Sequence, residues 1–153
     1  GRPADEGYIQ QIRRFLDANG LNENVRVLGI VSRQEIIDML RDSVCLALPS
    51  RQENAPNVIA QAMSAARAVV ATPVGGVPEM VEEGASGYLI DPDDVQSMAE
   101  RIISLMDDVE LTRTMGEHAR RDALVAYERH AHIDRLMDVC RSVIAGRPSC
   151  EAR

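Results

Sequence analysis

The sequence predicts an α/β fold in which helices cover both faces of a parallel, doubly wound sheet. Residues 44–48 and 68–71 are short, continuous apolar runs, as expected of strands that are buried on both faces. Longer segments with apolar residues at helical spacing separate these runs. Because strands that alternate with helices usually pair in parallel, these observations favour a single doubly wound sheet.

The other elements follow from the same patterns. Residues 25–30 (VRVLGI) and 87–90 have the length and composition of strands. Ile12 and Leu16 lie on one face of the first predicted helix, and Gly20 is a natural stop for it. Helices are predicted over residues 8–19, 33–41, 56 to about 66, 77–83, 93–107, 110–126 and 131–145.

Several side chains are predicted to cap these helices. Ser32 and Glu35 have the spacing of a capping box. Pro56 suits the first turn of its helix, and the Asp93-Asp94 pair precedes another. The residues from Gly146 onward are expected to pack loosely, as chain ends often do. We therefore expect one domain over residues 1–145 and a tail over 146–153.

Composition argues against several classes of function. The formal charge is −7, and all seventeen cationic residues are Arg. Nucleic-acid binding needs a basic face, so nucleic acid is not expected as a partner. No apolar run is long enough to span a bilayer. Cys45, Cys140 and Cys150 lack metal or redox spacing, so we expect a reducing compartment, no disulfide framework, and Cys45 as a core residue.

Two loops of unusual composition follow predicted strands, where ligands of doubly wound folds bind. In residues 49–57 (PSRQENAPN), Glu53 and Asn54 precede a helix start. The free N–H groups and the dipole of that helix suit a phosphate or a sugar hydroxyl. Asn54 could equally well do no more than cap the helix.

The second loop, residues 72–79 (TPVGGVPE), contains Gly75 and Gly76. A glycine pair permits close approach of a ligand to the backbone, although an ordinary turn explains it just as well. Glu79 could cap its own short helix or line a pocket. Two such loops on neighbouring strands would face one crevice.

The strings PSRQENAPNVIAQAM and AVVATPVGGVPEMVEEGASGYLIDPDD are similar to the retaining glycosyltransferases of the large group 1 family. Upstream, VRVLGIVSRQEIIDMLRDSVCLALPS matches the family's run of strand, helix and strand. Gly1-Arg2-Pro3 resembles the Gly-x-Gly-Pro loop before the family's preceding helix. The resemblance covers nearly the whole chain. It implies the C-terminal, donor-binding half of a GT-B architecture, which consists of two Rossmann-like domains.

The resemblance also implies roles for single residues. The family's marker is a Glu, seven residues and a second Glu. Glu53 takes the first place, and would contact the donor sugar's hydroxyls and help to stabilise charge at the reacting carbon. Gln61 takes the place of the second Glu, which normally binds the ribose, so we expect nucleotide binding to be weaker by roughly 1 kcal/mol. The backbone of Asn54, Ala55, Pro56 and Asn57 would hold the sugar and distal phosphate, Gly29, Ile30 and Val31 would pack the nucleobase, and Gly75 and Gly76 would lie beside the donor pocket.

Other features depart from the family. Its diphosphate-binding Arg and Lys, the domain's first two strands and the N-terminal acceptor domain would all precede Gly1. We therefore expect a fragment that is inactive alone, or a chain completed by another polypeptide. Without the first two strands, the predicted strands at residues 25–30 and 44–48 would be neighbours across a gap in the sheet, or would pair directly. Arg67 stands where the family usually has Gly before a strand.

As an enzyme, the whole protein would transfer a glycosyl group from a nucleoside diphosphate sugar to a sugar, lipid or small acceptor. The resemblance implies no metal and no cofactor. The reducing compartment expected from the cysteines favours a cytoplasmic location, with or without the peripheral contact to the inner face of a membrane that is common in the family. Two alternatives stay open: a catalytically inactive nucleotide-sugar-binding remnant, favoured by Gln61, and a sugar-nucleotide epimerase, which the loop around Glu53 fits less well.

Overall fold

The structure, a computed structural model, describes residues 6–127 and 129–144. The chain divides after Ile36 into two compact units. The second unit contains a parallel sheet in the order β1-β2-β3, formed by β1 (Cys45–Leu48), β2 (Ala68–Ala71) and β3 (Gly87–Leu89). The predicted α/β class with parallel strands is confirmed. The predicted tail, residues 146–153, lies outside the described residues.

The helices lie close to their predicted positions, with ends that differ by a few residues. Their apolar spacing was therefore sufficient to place them. In chain order they are α1 (Glu6–Ala18), α2 (Arg33–Asp42), α3 (Asn57–Ser64), α4 (Val77–Met80), α5 (Val95–Asp107), α6 (Val109–Tyr127) and α7 (Arg129–Ile144).

Strand β2 is the centre of the sheet, and all four of its residues are fully buried. Successive side chains of a strand point to opposite faces. On one face, Ala68 and Val70 join an apolar cluster with Leu105 of α5 and Met115 of α6, and Cys45 packs against it as predicted. Helix α3 also contacts β1 and β2.

Strand β1 is one of the two edge strands of the described sheet. Ala47 is exposed and the other residues of the strand are half-buried. The prediction that residues 44–48 are buried on both faces is therefore wrong. An apolar run does not reveal whether its strand lies at the centre or at the edge, because that depends on which strands pair with it.

Residues 25–30, predicted as a strand, are not one in the structure. Val25, Val27, Leu28 and Ile30 are all exposed, and Ile30 reaches 89%. A strand exists only through hydrogen bonds to a neighbouring strand, and no ladder in the described part of the chain includes these residues. Their β-branched composition was thus not sufficient.

The predicted caps at two helix starts are confirmed. The Ser32 hydroxyl accepts from the Glu35 N–H at 3.2 Å, and the Glu35 carboxylate accepts from the Ser32 N–H at 2.7 Å, as in a capping box. Asp94 is the N-cap of α5 and accepts from the Ser97 N–H at 2.9 Å. Its neighbour Asp93 instead forms an exposed ion pair with Arg51.

The turn between α3 and β2 contains Ala66 in the left-handed region, with φ of 58°. The N–H groups of Ala66 and Arg67 donate to the carbonyls of Met63 and Ala62, which is the Schellman pattern of a helix end. Glycine is favoured at such a φ. The position that would prefer glycine is therefore Ala66, one residue before Arg67.

Candidate functional site

The two loops singled out in the sequence lie in direct contact at the carboxyl ends of β1 and β2. The Gly76 N–H donates to the Asn54 carbonyl oxygen at 2.7 Å. Gly75 has φ of 59°, and a β-carbon there would lie 2.0 Å from the Glu53 carbonyl oxygen. A side chain at Gly75 would therefore force the loops apart. The glycine pair therefore does more than form an ordinary turn, because it allows the second loop to pack directly against the first.

Glu53 is half-buried in the first loop. Its Oε1 accepts a hydrogen bond of 2.7 Å from the Ser50 hydroxyl. The hydroxyl of Thr72, the buried residue after β2, donates to the Ser50 carbonyl. The carboxylate that the resemblance assigns to the donor sugar is thus attached, through Ser50, to the end of the central strand.

Helix α3 begins beside these loops without a side-chain cap. Its N-cap is Pro56, which has no side chain that can accept a hydrogen bond, and the Ile59 N–H donates to the Pro56 carbonyl at 3.0 Å. Pro56 therefore precedes the first turn instead of lying in it. The alternative that Asn54 serves as the cap is wrong. This helix start is open to an acceptor group, as anion binding requires.

A cavity of about 610 Å³ lies next to the contact between the loops. Six of the residues that the sequence singled out line it, together with four others that come from α3, α4 and α6. Glu79 is among the lining residues, and α4 has no side-chain cap, so the pocket-lining alternative for Glu79 is the correct one. The ten are Asn54, Ala55, Asn57, Gly75, Gly76, Ala60, Glu79, Met80, Ala126 and Tyr127.

The structure does not bring every predicted residue to this cavity. The side chain of Glu53 turns to Ser50, and neither Pro56 nor the half-buried Gln61 is a lining residue. Gly29, Ile30 and Val31 belong to the first unit, where Gly29 has φ of 69°. Their predicted role at the nucleobase stays a prediction.

Sequence reasoning missed several residues of the site. Ser50 and Thr72 were passed over, although a polar residue directly after an apolar strand is a recognisable signal for this edge of the sheet. Met80 and Tyr127 gave no signal, because α4 and the end of α6 approach the loops only in the folded chain. Partial burial raises the pKa of the Tyr127 hydroxyl, which keeps it a neutral hydrogen-bond donor.

Other candidates lie elsewhere. His118 is on α6, with Nδ1 3.1 Å from the Arg121 guanidinium, and the side chains of His130 and His132 lie outside the described residues. Over residues 6–127 and 129–144, no group of three or more His, Cys, Asp or Glu side chains is arranged to hold a metal ion. Within the same ranges, none of the helices has both the length and the apolar character needed to cross a bilayer.

Comparison with known proteins identifies the family. A sequence profile described as "Glycosyl transferases group 1" matches residues 4–122. The chain is 31% identical over 132 residues to the alpha-D-kanosaminyltransferase of Streptomyces kanamyceticus, covering 86% of this chain and 34% of the relative. It is 32% identical over 137 residues to the D-inositol 3-phosphate glycosyltransferase of Mycolicibacterium smegmatis, covering 82% of this chain and 32% of the relative.

Solved structures agree. Anabaena HepE, in a crystal structure with UDP, superposes with a TM-score of 0.78 at 26% identity, over 92% of this chain and 37% of HepE. This chain therefore spans about a third of the length of the relatives that it matches. Such neighbours have the GT-B architecture, and the profile covers well over half of the chain. The chain belongs to the group 1 family of glycosyltransferases.

Proposed function

We propose that this chain is the donor-binding part of a retaining glycosyltransferase. The whole enzyme would transfer a glycosyl group from a nucleoside diphosphate sugar to a sugar, lipid or small acceptor. The observation that carries the proposal is the contact between the Glu53–Asn54 loop and Gly75-Gly76 beside the open start of α3. The family match and the UDP complex of HepE support it.

The arrangement suits a phosphorylated sugar for electrostatic reasons. The chain has a net charge of −7, so a general attraction for anions is absent. Binding would instead depend on backbone N–H groups and the helix dipole at Asn57, which attract a phosphate without a basic side chain. Glu53 would accept hydrogen bonds from sugar hydroxyls. Rate enhancement would come from positioning and from stabilisation of charge in the transition state.

The test is calorimetric titration of the chain with UDP, GDP and ADP, and with UDP-glucose, GDP-mannose and ADP-glucose. We expect one nucleotide to bind and its sugar derivative to bind more tightly. The same titrations follow with residues added upstream that supply the family's Arg and Lys. If all six ligands fail to bind in both forms, the donor-binding assignment is wrong.

A second candidate is a catalytically inactive remnant of the same fold. Gln61 favours it, because an amide offers one acceptor oxygen where the family uses a carboxylate. A remnant would bind a nucleotide sugar and yet, when joined to an acceptor domain, transfer nothing. Hydrolysis or transfer of the sugar by the completed protein would exclude it. A cytoplasmic location stays a prediction in either case.

A further inference from the structure

Ser50 connects the Glu53 carboxylate to the sheet. Its hydroxyl donates to Glu53 Oε1 at 2.7 Å, and both residues are half-buried. A hydrogen bond to an ionised carboxylate is among the stronger ones in proteins. Glutamate has three rotatable side-chain bonds, so a fixed donor on one oxygen greatly reduces the positions that the other oxygen can take.

Ser50 is itself held from β2. Thr72, 1% exposed, donates its hydroxyl to the Ser50 carbonyl, and its N–H donates to the Leu48 carbonyl at 3.2 Å. Both carbonyls belong to the residues where β1 runs into the loop. Thr72 thus extends the pairing of β1 with β2 by one step beyond the last strand residues, Leu48 and Ala71.

The backbone of Glu53 is fixed from the other side. Its carbonyl packs against Gly75, and the next carbonyl, that of Asn54, accepts from the Gly76 N–H. The backbone is thus held by the glycine pair and Oε1 is held by Ser50. Within the described residues, no hydrogen bond engages Oε2, and a carboxylate oxygen can accept from a ligand's hydroxyl groups.

We propose that Ser50 is a positioning residue that holds the Glu53 carboxylate in one orientation for contact with the donor sugar, with Thr72 holding Ser50 in place. The proposal rests on the proposed function, since it takes Glu53 as a ligand of the sugar. If Ser50 served only to stabilise the turn, its loss would lower stability and weaken every ligand alike. If Ser50 instead positions Glu53, its loss would weaken the binding of the nucleotide sugar and leave the binding of the bare nucleotide unchanged.

The experiment measures how much more tightly the nucleotide sugar binds than the bare nucleotide, which is the contribution of the sugar. Calorimetric titrations with UDP and UDP-glucose, or whichever pair the wild-type chain prefers, are repeated for Ser50→Ala, Ser50→Thr and Ser104→Ala. Ser104 lies on α5, where its hydroxyl donates to the Arg101 carbonyl, so it controls for the loss of a serine hydroxyl.

We expect Ser50→Ala to weaken the nucleotide sugar about tenfold while the bare nucleotide binds as before. Ser50→Thr, which keeps the hydroxyl, should restore most of the affinity, and Ser104→Ala should change neither ligand. Equal weakening of both ligands by Ser50→Ala, or no change in either, would overturn the proposal.

A second measurement does not depend on binding. Crystal structures of the ligand-free wild type and Ser50→Ala should show one Glu53 conformer in the first and several in the second. A single unchanged conformer in both would refute the positioning role. Failure of the wild-type chain to bind any nucleotide sugar, even with its upstream residues, would instead refute the proposed function, so the two failures can be distinguished.

Discussion

The carbonyl oxygen of Glu53 lies where Gly75 has no room for a side chain, 2.0 Å from the ideal position of a β-carbon. Gly75 also has φ of 59°. Two independent reasons, space and backbone conformation, thus restrict this position to glycine. The loop that carries the candidate carboxylate keeps its place only as long as the neighbouring loop stays this close.

Gly75→Ala should lower the free energy of unfolding by about 2–4 kcal/mol, because the new methyl group meets the Glu53 carbonyl and the left-handed φ strains alanine. Urea unfolding of the wild type and of Gly75→Ala measures the difference in free energy of unfolding. Gly84→Ala is the matched control: Gly84 has φ of 74°, but nothing lies within 4 Å of its β-carbon position. It should lose only about 1 kcal/mol. Equal losses would show that the loop contact has no energetic effect.

Gly116→Ala should also destabilise the fold, against the usual rule. In an exposed helix this substitution stabilises by about 1 kcal/mol. Here a β-carbon would lie 2.2 Å from the Ala66 carbonyl oxygen, at the turn where α3 leads into β2. We expect a net loss of about 1–3 kcal/mol in urea unfolding. Arg120→Ala, an exposed position further along α6, should be near neutral. A more stable Gly116→Ala variant would contradict the close packing of α6 on this turn.

Ala66→Gly should stabilise the chain, since Ala66 has φ of 58° at the end of α3. Removing the strain of alanine in the left-handed region should gain about 0.5–1 kcal/mol. The control is Ala65→Gly one residue earlier, where φ is −82° and glycine brings only its entropic disadvantage. Thermal and urea unfolding should move in opposite directions for the two variants. If both substitutions changed the stability in the same direction, the backbone conformation at residue 66 would not explain the effect of Ala66→Gly.

Asp94→Asn should destabilise the fold at neutral pH and have less effect in acid. Hydrogen bonds from the Ser97 N–H and hydroxyl hold the pKa of the exposed Asp94 carboxyl below its ordinary 3.8. Because the folded-state pKa is depressed, its contribution to stability is fully present above pH 3.8 and is lost as the pH falls through the folded-state pKa. Urea unfolding from pH 7 down to pH 2 measures the difference between wild type and variant.

The control for this prediction is Asp107→Asn at the opposite end of α5. A carboxylate at a helix C-terminus is disfavoured by the helix dipole, so the same loss of charge there should not destabilise. If the difference between wild type and Asp94→Asn were independent of pH, the cap would not act through the charge of Asp94.

Gln61→Glu should strengthen nucleotide binding if the proposed function is correct. A carboxylate accepts two hydrogen bonds from a ribose with charge assistance, and an amide accepts on one oxygen only. We expect a gain of about 1 kcal/mol, or about fivefold in Kd, by calorimetry. Gln11→Glu adds the same charge at an exposed position of α1 and should leave Kd unchanged. Weaker nucleotide binding by Gln61→Glu would remove Gln61 from the ribose site.

Much of the fold could be read from local pattern. The helix over residues 95–107 and the buried strand at Ala68–Ala71 lie where the sequence predicts them, because periodicity and run length are local properties. The prediction of a strand over residues 25–30 was wrong because strand formation is not a local property. An apolar segment forms a strand only where another strand pairs with it. The prediction that residues 44–48 are buried on both faces was wrong for a similar reason, since the order of the strands decides which of them lies at an edge.

The site divides in the same way. Sequence and family resemblance were sufficient to find both loops and, among the lining residues of the cavity, Asn54, Gly75 and Gly76, since residue type and spacing are written along the chain. The roles of Glu53 and Gln61 stay predictions. The contacts between the loops were decided only by the tertiary structure. The Gly75 backbone against the Glu53 carbonyl, the Thr72 hydroxyl on Ser50, and Tyr127 beside the cavity all join residues far apart in sequence. A close approach of that kind depends on the parallel pairing of β1 with β2 and on the packing of α6, which local sequence does not encode.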